Sequence, residues 1–234
     1  MRLLQRSYFA LILGTLLCGS GIAAPQNSGD LDAVLKKMDE ASAGFRTTQA
    51  NFEWDRYEKV INEVDDIQFG TIYYRRAGKE VEMKADITKP DPKHVLFSKA
   101  KIQIYMPRAD QLTVYEAGEN RDEIENYFVL GFGGSGQELA KAFDVTYQGP
   151  ETINGVDTAK LHLVPKSVKV KNNIREIVLW IDLQRGISVQ QQFFEPQGDY
   201  RLAKYSDIRI NEKINGDVFQ LKTTSKTQVL SRGR

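Results

Sequence analysis

The chain has 234 residues, with 32 Lys and Arg against 31 Asp and Glu, and it contains a single cysteine. A chain so close to neutral has no global electrostatic attraction for nucleic acid, and one cysteine forms neither an internal disulfide nor a cysteine-rich metal cluster. The length is enough for one domain with a substantial core.

The N-terminal residues predict export from the cytoplasm. Arg2 and Arg6 precede an apolar run from about residue 9 to residue 17, and small residues follow it. This order is typical of a secretory signal peptide, and the run is shorter than the roughly 20 residues that a membrane span needs. An uncleaved N-terminal anchor is the other interpretation.

The expected cleavage site follows Ala23, and cleavage after Ala24 is the alternative. Cys18 lies within the predicted signal, residues 1–23, because Leu17 stands where a lipidation site has a small residue. Residues 24–234 then form a single exported domain, and this domain contains no cysteine.

Residues 30–45 predict an amphipathic helix, because Leu31, Val34, Leu35 and Met38 recur at helical spacing. Asp30 is the predicted N-cap. Few long helices follow, so the apolar stripe must pack against something other than another long helix.

From residue 49 onward the period of the apolar residues changes to two, which indicates strands. Ala50, Phe52 and Trp54 share one face of the first strand. A strand, a turn and a strand are predicted in residues 69–83, and two or three more follow in residues 94–117, where Pro107 interrupts the pattern.

The alternation stops in residues 121–143, which predict two short helices around the glycine-rich segment 131–136. Ser135 and Glu138 form a capping-box pair for the second helix. Strands resume in residues 143–210, and residues 218–221 predict a final strand. Ten or eleven strands and three helical pieces predict an α+β, mainly β fold: one strongly curved antiparallel sheet, an incomplete barrel, with helices on its concave side.

The segment 176–182 is apolar on both phases. Ile177, Leu179 and Ile181 point one way, and Val178 and Trp180 point the other. The first set is expected to line the concave interior. The second set meets a terminal segment or stays partly exposed.

Signatures of catalysis are missing from the sequence, which has no GxSxG, HExxH or P-loop motif. The only histidines are His94 and His162, and His162 lies on the polar phase of a predicted strand. We therefore predict a protein that is not an enzyme and that needs no cofactor and no metal.

Arg76 shares its strand phase with Ile72 and Tyr74, so it points towards the interior if they do. A buried guanidinium needs acceptors, and helix-terminal carbonyls are suitable ones. The alternative is a side chain at the strand end that reaches water.

Several segments, in this order along residues 30–230, carry a resemblance to a known family. They are LDAVLKKMDEA, QANFEW, GTIYYRRAGK, IYMPRADQLTVYE, LWIDLQRG and FFEPQGDY. The chain resembles the periplasmic outer-membrane lipoprotein carrier (Lol) family and its lipoprotein-sorting relatives. It departs from the family pattern at Ala77, where a proline is usual.

The resemblance implies an unclosed β-barrel with helices forming a lid over an apolar cavity that holds lipoprotein acyl chains. It implies an acylated lipoprotein or other lipid as cargo, a releasing complex in the inner membrane, an acceptor at the outer membrane, and a monomer. It also implies that Arg76 ties the closed lid to the barrel wall. A carrier of another lipid or glycolipid, a non-transporting lipoprotein-sensing module on the same fold and, as the weakest reading, a lipid-processing enzyme are the alternatives.

On this reading, three sets of residues form the site. The cavity residues are Phe52, Trp54, Ile72, Tyr74, Ile104, Ile177, Leu179 and Ile181. The lid residues are Leu31, Val34, Leu35, Met38, Phe128, Leu130 and Phe132. The latch is Arg76.

Overall fold

A computed structural model describes residues 28–78, 80–116 and 130–232 of the chain. The predicted signal peptide, residues 1–23, lies outside the described residues. So do Phe128 and most of the first of the two short helices predicted in residues 121–143.

The fold is one twelve-stranded sheet, mostly antiparallel, in the order β12-β6-β5-β4-β3-β2-β1-β11-β10-β9-β8-β7. The strands are β1 Thr47–Glu58, β2 Glu63–Ala77, β3 Glu80–Lys89, β4 Lys93–Ser98, β5 Lys101–Met106, β6 Gln111–Glu116, β7 Phe143–Ile153, β8 Val156–Pro165, β9 Glu176–Asp182, β10 Ser188–Phe194, β11 Tyr200–Ile210 and β12 Gln228–Arg232. Within the described residues, edge strands β12 and β7 do not pair with each other. The predicted unclosed barrel is confirmed.

Three α-helices accompany the sheet in the described part of the chain: α1 Ser28–Gly44, α2 Gly136–Ala142 and α3 Val168–Lys171. The predicted capping box of α2 is confirmed, since Ser135 Oγ accepts from the Glu138 amide at 3.1 Å and the Ser135 amide donates to Glu138 Oε2 at 3.1 Å. None of the described helices is both long and apolar enough to span a membrane.

Three details of the sequence prediction are wrong. Helix α1 begins at Ser28, so Asp30 lies in its first turn and not at the N-cap. Residues 218–221 do not form a strand, because Gly216–Phe219 is a 3-10 helix that anchors one buried side chain, Phe219. The last strand is instead β12, which pairs with β6 in parallel.

The concave side of the sheet divides into two apolar clusters. One lies on β7, β8 and β9 under α1 and α2, and we call this part the covered half. The other lies mainly on β1, β2, β3, β4 and β11, and we call this part the open half. Strand β10 runs between the two halves, because it pairs with β9 on one side and β11 on the other.

The two-sided apolar pattern of β9 has a simple explanation in the structure. Ile177, Leu179 and Ile181 lie in the covered half without exposed area. On the convex face, Val178 and Trp180 pack with Val189, and neighbouring side chains cover them: Ile153, Val156, Phe194 and Ile208. The expectation that a terminal segment covers Val178 and Trp180, or that they stay partly exposed, is therefore wrong.

Candidate functional site

A cavity of about 870 Å³ opens in front of the open half. Its volume lies in the range of known ligand pockets, about 300–1,000 Å³. Much of its apolar wall comes from β1, β2, β3, β4 and β11 and contains Trp54, Ile72, Tyr74, Met83, Ile87, Val95 and Ala203. Phe193 of β10 and Ile174, which pack against the covered half, also belong to the wall. Charged and amide side chains lie at its rim.

Strand alternation places the wall residues on one surface. Phe52 pairs with Gly70 across β1 and β2, and Ile72 pairs with Ala85 across β2 and β3. Gly70 leaves room for the ring of Phe52, because a Cβ on Gly70 would lie 2.8 Å from that ring and 2.1 Å from the carbonyl oxygen of Asp86. The Phe52 ring in turn stacks on Trp54 at 4.0 Å. The absent side chain at Gly70 therefore shapes the cavity wall.

The glycine-rich segment 131–136, with Leu130 before it, closes one end of the open half. Phe132 from this segment is fully buried, with its ring 5.2 Å from Tyr74 and 4.7 Å from Tyr205. The Tyr205 hydroxyl donates to Gln191 Oε1 at 3.2 Å, and Gln191 Nε2 donates to the Leu130 carbonyl. Burial raises the pKa of Tyr205, so its hydroxyl stays protonated and can donate.

Arg76 of β2 also binds the glycine-rich segment. Its Nη2 donates to the Gly133 carbonyl oxygen at 3.1 Å, and Ser42 Oγ of α1 donates to that oxygen at 2.6 Å. The guanidinium also lies 5.7 Å from the centre of the Phe45 ring. One carbonyl thus joins β2 in the open half to α1 above the covered half. The Arg76 side chain remains largely exposed, and a backbone carbonyl is its acceptor, as predicted.

Residues 43–222 match the family model described as outer membrane lipoprotein carrier protein LolA. The chain belongs to the LolA family. Among curated protein sequences, none matches the chain.

Solved structures with the same fold show low sequence identity to this LolA-family chain. The crystal structure of MucB has a TM-score of 0.54 at 14% identity, over 88% of this chain and 67% of MucB. The matched chain of the Pseudomonas aeruginosa MucA/MucB complex has a TM-score of 0.50 at 16% identity, over 82% of this chain and 61% of that chain. An uncharacterized conserved protein from Thermus thermophilus has a TM-score of 0.54 at 10% identity, over 87% of this chain and 99% of that protein. This chain therefore spans about three fifths of the matched chain in the MucA/MucB complex. At these identities the matches show the fold alone.

The structure divides the predicted cavity residues of this LolA-family chain between two places. Trp54, Ile72 and Tyr74 line the cavity, and Phe52 belongs to the same cluster. Ile104 lies on the inner phase of β5 opposite Val95, half-buried, and does not contribute to the cavity wall.

The rest of the predicted set lies elsewhere. Ile177, Leu179 and Ile181 pack in the covered half instead of lining the cavity. The predicted lid residues Leu31, Val34, Leu35, Met38 and Leu130 pack there too, and Phe132 is the one lid residue in the described part of the chain that reaches the open half.

Sequence reasoning missed the rim of the cavity, which is formed by Asp55, Arg56, Asp66, Gln68, Lys93, Glu195 and Arg201. It also missed wall residues such as Met83, Ile87 and Ala203. The signal was present, because Arg56 and Lys93 continue the inner phases of Trp54 and Val95 by two residues along their strands.

Both histidines face away from the cavity. His94 and His162 alternate with the inner-phase residues Val95 and Leu161, and each lies beside a carboxylate, Asp86 at 2.6 Å and Glu176 at 3.2 Å. In the part of the chain that the structure describes, no group of three or more His, Cys, Asp or Glu residues could hold a metal ion.

Proposed function

We propose that the protein is a periplasmic carrier that holds the acyl chains of a lipoprotein in its cavity on the way to the outer membrane. The observation that supports this function best is the cavity of about 870 Å³ with an apolar wall, in a chain of the LolA family. Exposing an acyl chain to water costs about 0.8 kcal/mol per CH₂, so crossing an aqueous compartment requires an apolar container.

The proposed role is binding without chemistry, and it requires no cofactor. The groups that face the cavity are apolar walls, aromatic rings and a charged rim, and the two histidines lie on the opposite face of the sheet. The inner-membrane releasing complex and the outer-membrane acceptor belong to this proposal, as do the monomeric state and the absence of nucleic-acid partners.

Processing of the chain is part of the same proposal. Cleavage after Ala23 would release residues 24–234 as one periplasmic domain. N-terminal sequencing of the protein from its own cells should begin at Ala24. An intact Met1 or a diacylated Cys18 would contradict the assignment.

Arg76 is the proposed latch of the lid. Its bond to Gly133 O, together with the bond from Ser42, favours the closed and empty state, in which Phe132 lies between Tyr74 and Tyr205. Cargo must displace this segment to use the whole open half. The empty closed state then competes with the loaded state, so cargo can be passed on to an acceptor.

Blocking the cavity tests the binding function. Ala203 is 7% exposed and lies on the cavity wall, so Ala203→Phe should place its ring in the cavity. We expect this variant to lose most of its binding of N-phenyl-1-naphthylamine, an apolar fluorescent probe. Lys101→Met, on the other face of β5, is the control and should bind as the wild type does. Equal binding by all three proteins would contradict the cavity as the binding site.

The identity of the cargo requires native mass spectrometry of the protein isolated from its own periplasm. Bound lipoprotein supports the carrier function, and a free lipid or glycolipid supports the alternative cargo. An empty protein would argue against both.

The latch is tested by Arg76→Leu. This variant should fold normally, retain a bound acylated peptide for longer and transfer it more slowly to acceptor vesicles. Because the Arg76 side chain is largely exposed and Ser42 still bonds to Gly133 O, we expect the lid equilibrium to shift by less than about 1 kcal/mol, which is up to roughly fivefold. Equal release rates from the variant and the wild type would show that Arg76 is not a latch.

A second candidate function is a sensing module that uses the fold to bind a partner protein and does not transport lipid. The β1–β2 hairpin favours it, because Val60 is 94% exposed and Ile61 is 52% exposed at its tip. Val60→Ser with Ile61→Ser should then abolish partner capture and leave probe binding intact. Loss of probe binding in this variant would argue against a separate interaction surface.

A further inference from the structure

Lys93 places an ammonium group at the cavity. Strand β4 directs Lys93, Val95 and Phe97 to the same side, and these residues pair across β3 with Ile87, Ala85 and Met83. Five of these six residues are apolar, and Lys93 ends their row at the rim.

The other charges of the rim have partners within the chain. Arg56 lies 3.0 Å from Glu58, and Arg201 lies 3.3 Å from Glu195. Asp55 binds Lys204 at 2.7 Å. Asp66 accepts a hydrogen bond from Gln68.

Lys93 differs from these groups. Among the described residues, no carboxylate lies within ion-pair distance, 4.0 Å, of its ammonium group. Asp66 is the rim carboxylate without a described ion pair, and the sheet keeps it away from Lys93. Lys93 is level with Gly70 of β2, since both pair with Ile87 of β3. Asp66 is four residues further along β2, roughly 13 Å at about 3.3 Å per residue, with two strand spacings of about 4.8 Å in between.

An apolar cavity with an unpaired ammonium group at its rim is complementary to an amphiphile, which has an apolar tail and a polar head group. When the tail of an amphiphile fills the wall region, its head group lies at the rim. There the low-dielectric wall strengthens the attraction between opposite charges. From this geometry we propose that Lys93 binds the head group of an anionic amphiphile, with a carboxylate or phosphate next to the acyl chain. This inference rests on the proposed binding of acyl chains in the cavity, and among the cargoes considered it favours a free anionic lipid.

Two probes with the same chain test the inference. One is 11-(dansylamino)undecanoic acid, which carries a carboxylate, and the other is its primary amide, which is neutral. Lys93→Met keeps the length of the side chain and removes the charge. It should weaken binding of the acid by about tenfold, the size of one charge-assisted hydrogen bond, and change binding of the amide by less than about twofold.

Two further variants complete the design. Lys93→Arg keeps the charge and should retain the preference for the acid. Lys101→Met removes a lysine that pairs with Glu116 at 2.9 Å on the other face of β5, and it should bind both probes as the wild type does. Raising the salt concentration should reduce the preference in the wild type and leave Lys93→Met unchanged.

Each outcome has a distinct meaning. Equal affinity of the wild type and Lys93→Met for the acid, or an equal loss for acid and amide, would overturn the role of Lys93 and leave the carrier function intact. If the wild type binds neither probe, the proposed lipid-binding function itself fails, and this inference fails with it. Circular dichroism of each variant verifies that the fold is retained.

Discussion

The covered half and the open half are built from the same kind of alternating strands, but their interiors differ. In the covered half, Leu161, Ile177 and Leu179 have no exposed area, because α1 and α2 close over them. In the open half, Ile72, Met83 and Ile87 are only 2–3% exposed, but they line a cavity of about 870 Å³. Alternation decides which side chains point inward, and the position of the helices decides whether that interior is packed or hollow.

Glycines determine where α1 lies. A Cβ on Gly136 would lie 2.2 Å from the carbonyl oxygen of Leu35, and a Cβ on Gly186 would lie 2.5 Å from that of Lys37. The backbones of the α2 start and the β9–β10 turn therefore approach α1 closely. One helix of four to five turns fixed in this way covers only part of a twelve-stranded sheet, so the other part remains open.

The largest expected difference between the halves is the loss of stability when one isoleucine in each half is replaced by alanine. Ile177→Ala leaves a cavity in a close-packed region and should lower the free energy of unfolding by about 2–5 kcal/mol. Ile87→Ala removes the same atoms from a wall that already borders a cavity, and its cost should lie at or below the lower end of that range. Urea denaturation of both variants measures the difference. Equal losses would mean that the open half is packed as tightly as the covered half.

The opposite change, an increase in side-chain size, can be tested at one buried alanine in each half. Ala159 has no exposed area in the covered half, so Ala159→Phe should overpack it and cost about 1–3 kcal/mol or more. Ala203→Phe points into the cavity and should change the free energy of unfolding by less than about 1 kcal/mol. Thermal unfolding compares the two. A large loss for Ala203→Phe would indicate that the cavity cannot accept a ring at this position.

Local patterns predicted much of this architecture from the sequence. Alternation identified Phe52, Trp54, Ile72 and Tyr74 as one inner surface. The need of a guanidinium for acceptors led to the contact of Arg76 with the glycine-rich segment. Such predictions succeed because strand phase and hydrogen-bond demand are properties of a few neighbouring residues.

Other features depend on contacts between distant residues, and local patterns do not encode them. Ile177 and Ile72 have the same alternation, but α1 and α2 cover Ile177, and Gly136 and Gly186 allow α1 to lie there. The pairing of β12 with β6 joins residues more than 100 positions apart. Lys93 was missed because the strands predicted in residues 94–117 began one residue after it, whereas β4 begins at Lys93.

Acid should affect the covered half through Asp182, at the end of β9. Burial raises the pKa of this carboxyl, but hydrogen bonds from Arg185 Nε at 2.6 Å and from the amides of Gln184 and Arg185 outweigh it, so the pKa lies below its usual value. A pKa lower in the folded state than in the unfolded state stabilises the fold above about pH 3.9, and this contribution disappears as the pH falls through the folded pKa.

Asp182→Asn should therefore cost about 1 kcal/mol at pH 7. Its disadvantage should shrink as the pH is lowered below about 4, because the carboxyl of the unfolded wild-type chain then takes up a proton while the folded one stays ionised to a lower pH. Urea denaturation of both proteins from pH 7 to pH 3 measures this trend. A difference that stays constant over the whole range would contradict the role assigned to the charge.

The smallest expected effect concerns the one carbonyl that joins the two halves. Gly133 O accepts from Ser42 of α1 and from Arg76 of β2, so removal of either donor leaves the other in place. Ser42→Ala and Arg76→Leu should each cost less than about 1 kcal/mol. The double variant leaves a carbonyl of a buried residue without either donor, and its cost should exceed the sum of the single costs by about 0.5 kcal/mol or more. A double-mutant cycle by urea denaturation, with hydrogen exchange of the amides in residues 130–136, measures this coupling. Additive costs would mean that water replaces both donors, and that the glycine-rich segment does not hold α1 and β2 together.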